Sequence, residues 1–280
     1  MLNKISNLLP ILCFFGVGLT SIPAYSQQLR VSPLVIERQA ESGQARGVID
    51  VANNSDQPFR ARVSLQPFTY TREGLKILES SPNDLTPYLT FSPRELVIAP
   101  GQTRSIRFNA RLLPSLSQQE YRAMFSIEPL KEKNDSTATN EVSIDVSIGT
   151  TIFVRNGDLT PNLKIETASY DGKSKEIRLL VNNTGKATTR ARTEWNLTQN
   201  GQLVNSGKLE ETTIIAEGDR YVRIAYPPQG QTLTPGNYNF SGKLTWDFPN
   251  KGGTLPFNVN FTVSPEDIKK ETKPALPIKK

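Results

Sequence analysis

Asn53-Asn54-Ser55, followed by Arg60-Ala61-Arg62, returns in the second half of the chain as Asn182-Asn183-Thr184 followed by Arg190-Ala191-Arg192. The repeat continues outward from both copies. Ile98-Ala99-Pro100-Gly101 leads into Ile106-Arg107-Phe108, and Ile215-Ala216-Glu217-Gly218 leads into Val222-Arg223-Ile224. Tyr121 follows Gly101 by 20 residues, and Tyr238 follows Gly218 by the same interval. Each tyrosine opens an apolar run late in its half, the place of a tyrosine corner in an immunoglobulin-like sandwich. Several matches in one order imply two copies of one folding unit.

The runs between these landmarks are short and rich in Val, Ile, Thr, Phe and Tyr. Gly47–Ala52, Phe59–Tyr70, Thr103–Arg111 and Glu120–Leu130 are examples in the first half. Ile177–Val181, Ala191–Leu197, Tyr221–Ala225, Tyr238–Trp246 and Phe257–Val263 are their kind in the second. Turn clusters such as Ala99-Pro100-Gly101 and Asn250-Lys251-Gly252-Gly253 separate them, and no apolar stripe of helical period interrupts the pattern. The fold class expected is all-β: two tandem immunoglobulin-like β-sandwich domains. A first domain over 27–156 and a second over 157–264 meet at the turn-rich Asn156-Gly157-Asp158-Leu159-Thr160-Pro161.

The ends read differently. Lys4, the apolar stretch Leu8 to Leu19 and Ala24-Tyr25-Ser26 have the order of a cleavable secretory signal over 1–26. The stretch is shorter than the roughly 20 residues a membrane-spanning helix needs, so the expectation is an exported chain that does not span the membrane. Residues 265–280 form a lysine-rich tail expected to be solvated.

Composition narrows the chemistry. The 280 residues contain no histidine and one cysteine, Cys13, which lies in the signal. That leaves the exported part without a disulfide framework, a thiol nucleophile or a Cys/His metal site. It also lacks the side chain most used for proton transfer near neutral pH. Neither a cofactor nor catalysis is expected. The net charge of +6 contains no dense basic block with interleaved aromatics, so no nucleic-acid partner is expected.

Glu141–Arg155 is the segment that points to a role. Val142, Ile144, Val146, Ile148, Thr150, Ile152 and Val154 alternate with Ser143, Asp145, Ser147, Gly149, Thr151, Phe153 and Arg155. Period two gives one strand with an apolar and a largely polar face, at about twice the usual strand length. A strand that outruns its own sheet presents unpaired backbone groups to a partner.

These residues resemble the periplasmic pilus and fimbrial assembly chaperones, the PapD-like family. The resemblance rests on Phe91-Ser92-Pro93, Ala99-Pro100-Gly101, Ile106-Arg107, Glu120-Tyr121-Arg122-Ala123-Met124-Phe125 and the long strand 141–155. It implies two immunoglobulin-like domains in a boomerang, located in the periplasm, that cap surface-fibre subunits by β-strand donation. Val142, Ile144, Val146 and Ile148 then form the subunit-binding strand. The partners implied are pilin-like or other exported fibre subunits, with an outer-membrane usher as a further candidate. Glu120, Arg155 and Asp247 fall at the family's interdomain charge cluster. The family's two basic residues that anchor a subunit carboxylate correspond to Pro33 and Thr151, neither of which is cationic. The alternative reading is a non-catalytic structural or adhesive envelope protein of tandem immunoglobulin-like domains.

Overall fold

The computed structural model describes residues 29–130, 147–226, 233–247 and 252–268. The first unit contains β1 (Leu29–Ser32), β2 (Val35–Gln39), β3 (Gln44–Asn53), β4 (Phe59–Gln66), β5 (Phe68–Tyr70) and β6 (Leu75–Ile77). It continues with β7 (Leu89–Ser92), β8 (Glu95–Ile98), β9 (Thr103–Arg111), β10 (Glu120–Pro129) and β11 (Ile148–Arg155). One sheet has the order β1-β3-β9-β7 and the other β2-β11-β10-β4-β8, while β5 and β6 form a separate hairpin.

The second unit contains β12 (Leu163–Asp171), β13 (Glu176–Asn183), β14 (Thr189–Gln199), β15 (Gln202–Ile214), β16 (Gly218–Ala225), β17 (Gly236–Trp246) and β18 (Gly253–Val263). Its sheets run β12-β13-β16 and β15-β14-β17-β18. Each unit is thus a sandwich of two sheets around its own apolar core. The all-β, two-sandwich expectation agrees with this arrangement. Among the described residues no helix is long and apolar enough to cross a membrane.

The repeated motif has a structural cause. Asn53 and Asn183 are both fully buried. The Asn53 amide donates to the Gln57 and Ile98 carbonyls at 2.7 and 3.0 Å, and its oxygen accepts from the Ser55 N–H at 3.0 Å. Asn183 donates to the Ala187 and Ile214 carbonyls at 2.9 and 3.3 Å and accepts from the Gly185 N–H at 3.0 Å. In both units one side chain closes its own turn and ties it to the end of a strand in the opposite sheet. A buried amide needs such partners, because an unmet one costs about 1–3 kcal/mol.

The tyrosines behave alike too. Tyr121 donates its hydroxyl to the Ser117 carbonyl at 3.2 Å and Tyr238 to the Thr234 carbonyl at 2.9 Å. Both tyrosines are 2% exposed, so each hydroxyl finds its partner in the protein. Tyr121→Phe keeps the ring and removes only that bond. The expected loss is about 1 kcal/mol in chemical denaturation; a loss near zero would mean the hydroxyl bonds solvent instead.

The core of the first sandwich is built across the two sheets. Phe125 of β10 meets Phe91 of β7 edge-on with centroids 5.1 Å apart, and Phe108 of β9 at 5.9 Å. Gly47 stands opposite Phe108 in the ladder. A Cβ there would sit 2.4 Å from the Phe108 ring, so the absence of a side chain leaves the ring its place.

Candidate functional site

Two features of the β2-β11-β10-β4-β8 sheet bear on function: the edge beside β11, and the face turned toward the second sandwich. The strand expected over 141–155 appears in the described residues as β11, Ile148–Arg155. Val142, Ile144 and Val146 lie outside the described residues. Ile148 is half-buried and packs against the first core. Its cross-strand partner is Ile127 of β10, and Ile152 and Val154 continue the same inward stripe with no exposure.

On its other side β11 pairs in parallel with β2, but only from Thr151↔Val35 to Arg155↔Gln39. The Thr151 N–H donates to the Leu34 carbonyl at 3.0 Å, and the Thr150 hydroxyl to the Pro33 carbonyl at 3.1 Å. Before this point the chain belongs to β1, which lies in the opposite sheet. Backbone direction alternates along a strand. Because the Thr151 N–H points toward β2, the Gly149 N–H and C=O point to the same side, where no described strand meets them. Leu34 stands at this opening and is 54% exposed. The positions corresponding to a carboxylate anchor, Pro33 and Thr151, therefore close the join between β2 and β11.

The face of β11 read as largely polar is covered rather than open. Thr151, Phe153 and Arg155 are all buried. Phe153 packs with Phe68 and Met124 beneath the β5–β6 hairpin, its ring 5.6 Å from that of Phe68. Alternation read from a sequence identifies two faces, but it does not tell which face a neighbouring element covers.

Arg155 and Glu120 form the centre of the junction. They are opposite each other in the β10–β11 ladder, each 1% exposed, with Arg155 Nε 3.2 Å from Glu120 Oε2. Arg155 also donates to Glu37 at 3.0 Å and to the Thr188 carbonyl of the second sandwich at 2.8 Å. The Thr188 N–H donates to Glu120 at 2.9 Å, and its hydroxyl donates to the other carboxylate oxygen. Burial pushes the Glu120 carboxyl above the ordinary glutamate range, while Arg155, the Thr188 bonds and Arg122 oppose that shift. Burial likewise lowers the Arg122 guanidinium against the pull of Glu120 and Glu217.

Asp247 lies apart from this buried pair, so the three-residue cluster implied by the resemblance is not a single buried site. Its carboxylate is 81% exposed and pairs with Arg192. A chain of alternating charges connects the two ends. Glu37 binds Arg155 and Arg190, Arg190 binds Glu211 at 2.5 Å, and Glu211 reaches Arg192 at 3.5 Å. Water screens the outer pairs, which contribute at most about 1 kcal/mol each; the inner pair is shielded from it.

Sequence reasoning missed a second link between the sandwiches. The tip of the β5–β6 hairpin lies on β16. Arg72 Nε donates to Asp219 at 2.7 Å, its carbonyl accepts from the Tyr221 N–H at 3.2 Å, and Arg220 donates to the Thr71 carbonyl at 3.0 Å. The Arg220 guanidinium also lies 5.2 Å from the centre of the Tyr70 ring, and Glu73 pairs with Arg223. Glu37, Thr188 and Arg190 were missed as well. The Arg190-Ala191-Arg192 repeat marked the right strand without showing what it faces.

No known family pattern matches this sequence, and no curated protein matches it. The chain is similar to solved structures of low sequence identity. They include the class 5 fimbriae chaperone CfaA (14% identity, 82% of this chain and 98% of that one, TM-score 0.47). The YadV chaperone is another (13% identity, 83% and 99%, TM-score 0.47). The chaperone DraB of E. coli is a third (16% identity, 84% and 97%, TM-score 0.44).

Proposed function

We propose that this protein is a periplasmic chaperone that caps surface-fibre subunits by β-strand donation from β11 and the residues before it. The observation that carries the reading is the open edge of β11 at Gly149, where β2 stops and the backbone polar groups meet no described strand. Such an edge templates another strand. The sequence immediately before it, Val142-Ser143-Ile144-Asp145-Val146-Ser147, keeps the apolar alternation that a client's groove would accept. Main-chain bonds along the edge supply affinity, and the side chains of Val142, Ile144, Val146 and Ile148 supply fit. The Glu120–Arg155–Thr188 junction and the β5–β6 strap act as the brace that fixes how the second sandwich stands beside that edge. The secretory signal read in residues 1–26 supports export, and a periplasmic location is where unassembled fibre subunits would need cover.

The test is retention of periplasmic partners by the mature protein and by its Ile144→Asp/Val146→Asp variant. A small fibre-like subunit held by the wild type and lost by at least tenfold in the variant is the expected result; two charges set against an apolar groove each carry a desolvation cost of several kcal/mol. Equal recovery by both would reject strand donation. Concentration-dependent self-association without any client would favour a structural subunit instead.

A further inference from the structure

We propose that the outer face of the β1-β3-β9-β7 sheet docks on an anionic phospholipid surface. The register places Arg30, Arg46, Arg107 and Arg111 on this face, pointing away from the first core. All four are exposed. Among the described residues none of the four has an acidic side chain within ion-pair distance, whereas most arginines of the domain junction do. The register sets two acids on this face: Asp50, to which the Ser105 hydroxyl already donates at 2.6 Å, and Glu41, opposite Gln44 at its margin, neither of them ion-paired with any of the four.

The arrangement is specific to the pairing of β3 with β9. Arg46 stands opposite Asn109, so it is diagonal to both Arg107 and Arg111. Diagonal neighbours on a sheet face lie about 7–8 Å apart, and Arg107 and Arg111 are about 13 Å apart along β9, so the three arginines form a shallow row centred on Arg46. Arg38 of β2 joins their margin by donating to the Arg46 carbonyl at 3.2 Å. Guanidinium forks take phosphate oxygens in pairs and stay charged at any physiological pH.

Charge complementarity demands an anion, and the residues beside the arginines select which. The face is the outer side of a sheet whose inner strands β3 and β9 are paired on both sides, and its register positions hold no aromatic ring on which a nucleic-acid base could stack. Two apolar side chains protrude beside the arginines: Val48, opposite Arg107, is 44% exposed, and Leu113, two residues beyond Arg111, is 52% exposed. Cations mixed with isolated apolar groups on a plane suit the headgroup layer of a membrane, where each basic residue near the surface strengthens binding. The opposite sheet holds the open edge of β11 and the junction. A chain lying on a membrane by this face would leave both free, and the docking does not depend on client capture.

The experiment is sedimentation of the mature full-length protein with vesicles of phosphatidylethanolamine and phosphatidylglycerol, beside vesicles of phosphatidylcholine alone. The variant is Arg46→Gln/Arg107→Gln/Arg111→Gln, with circular dichroism to verify its fold. The wild type should bind the anionic vesicles and release them as salt rises, and the variant should partition about a hundredfold more weakly. Equal binding by variant and wild type would overturn the proposal, as would equal binding to both vesicle types. Binding to polyglutamate through the same arginines, with none to anionic vesicles, would reassign the face to an acidic protein partner.

Discussion

Arg155→Ala is expected to destabilise the protein by about 3–5 kcal/mol, the cost of leaving a buried ion pair with one partner. The size follows from what the arginine leaves behind. Glu120 is 1% exposed, and without Arg155 its charge keeps the Thr188 donors and the more distant Arg122 but no directly paired cation. The Thr188 carbonyl and one bond to Glu37 are lost in the same step. Urea unfolding followed by far-ultraviolet circular dichroism measures the effect. A loss below about 1 kcal/mol would mean that the pair behaves like an exposed one. A double-mutant cycle sharpens the result. Glu120→Leu/Arg155→Leu should be less destabilised than the sum of its single variants, since removing both charges removes the unpaired one. Loss of the Thr188 links should also widen the range of separations between the sandwiches, which scattering from the same samples would register.

Phe125→Ala should cost about 3–5 kcal/mol by a different mechanism, a cavity at the centre of the first sandwich. The ring is fully buried and is the point where β10 touches Phe91 and Phe108 of the opposite sheet. Both neighbours are held on paired strands, so the walls cannot collapse far into the space. Phe125→Leu keeps most of the volume and loses chiefly the edge-on ring contacts, for which about 1.5 kcal/mol or less is expected. Similar losses for the two variants would show that ring geometry rather than volume dominates; a small loss for both would mean that the sheets close over the gap. Unlike Arg155→Ala, this change acts inside one sandwich and should leave the interdomain links in place.

The two results separate what holds each domain from what holds them together, and only the first was open to sequence reading. Asn53 and Asn183 could be found because each acts within its own turn and on one strand end, so the motif recurs wherever the unit does. Tyr121 and Tyr238 reach four residues back and recur for the same reason. The apolar alternation of 148–154 identified the inward stripe of β11, because a pleated strand with one face on a core must repeat every second residue.

The junction obeys no such period. Arg72 and Asp219 are 147 residues apart in the chain, and Arg190 and Glu37 are 153 apart. Asp247 looked equivalent to the buried pair by its place in a late turn, yet its carboxylate lies in solvent. Local sequence thus determined the two sandwiches, the knots that close their turns and the inward stripe of β11. Tertiary structure alone decided that the polar face of β11 is covered, that Thr188 enters the ion pair, that the β5–β6 hairpin straps the domains, and that four arginines share one open plane. The reason is range: backbone pleat and turn chemistry act over a few residues and leave a repeat, whereas burial of a charge depends on surfaces that meet only after both domains have folded.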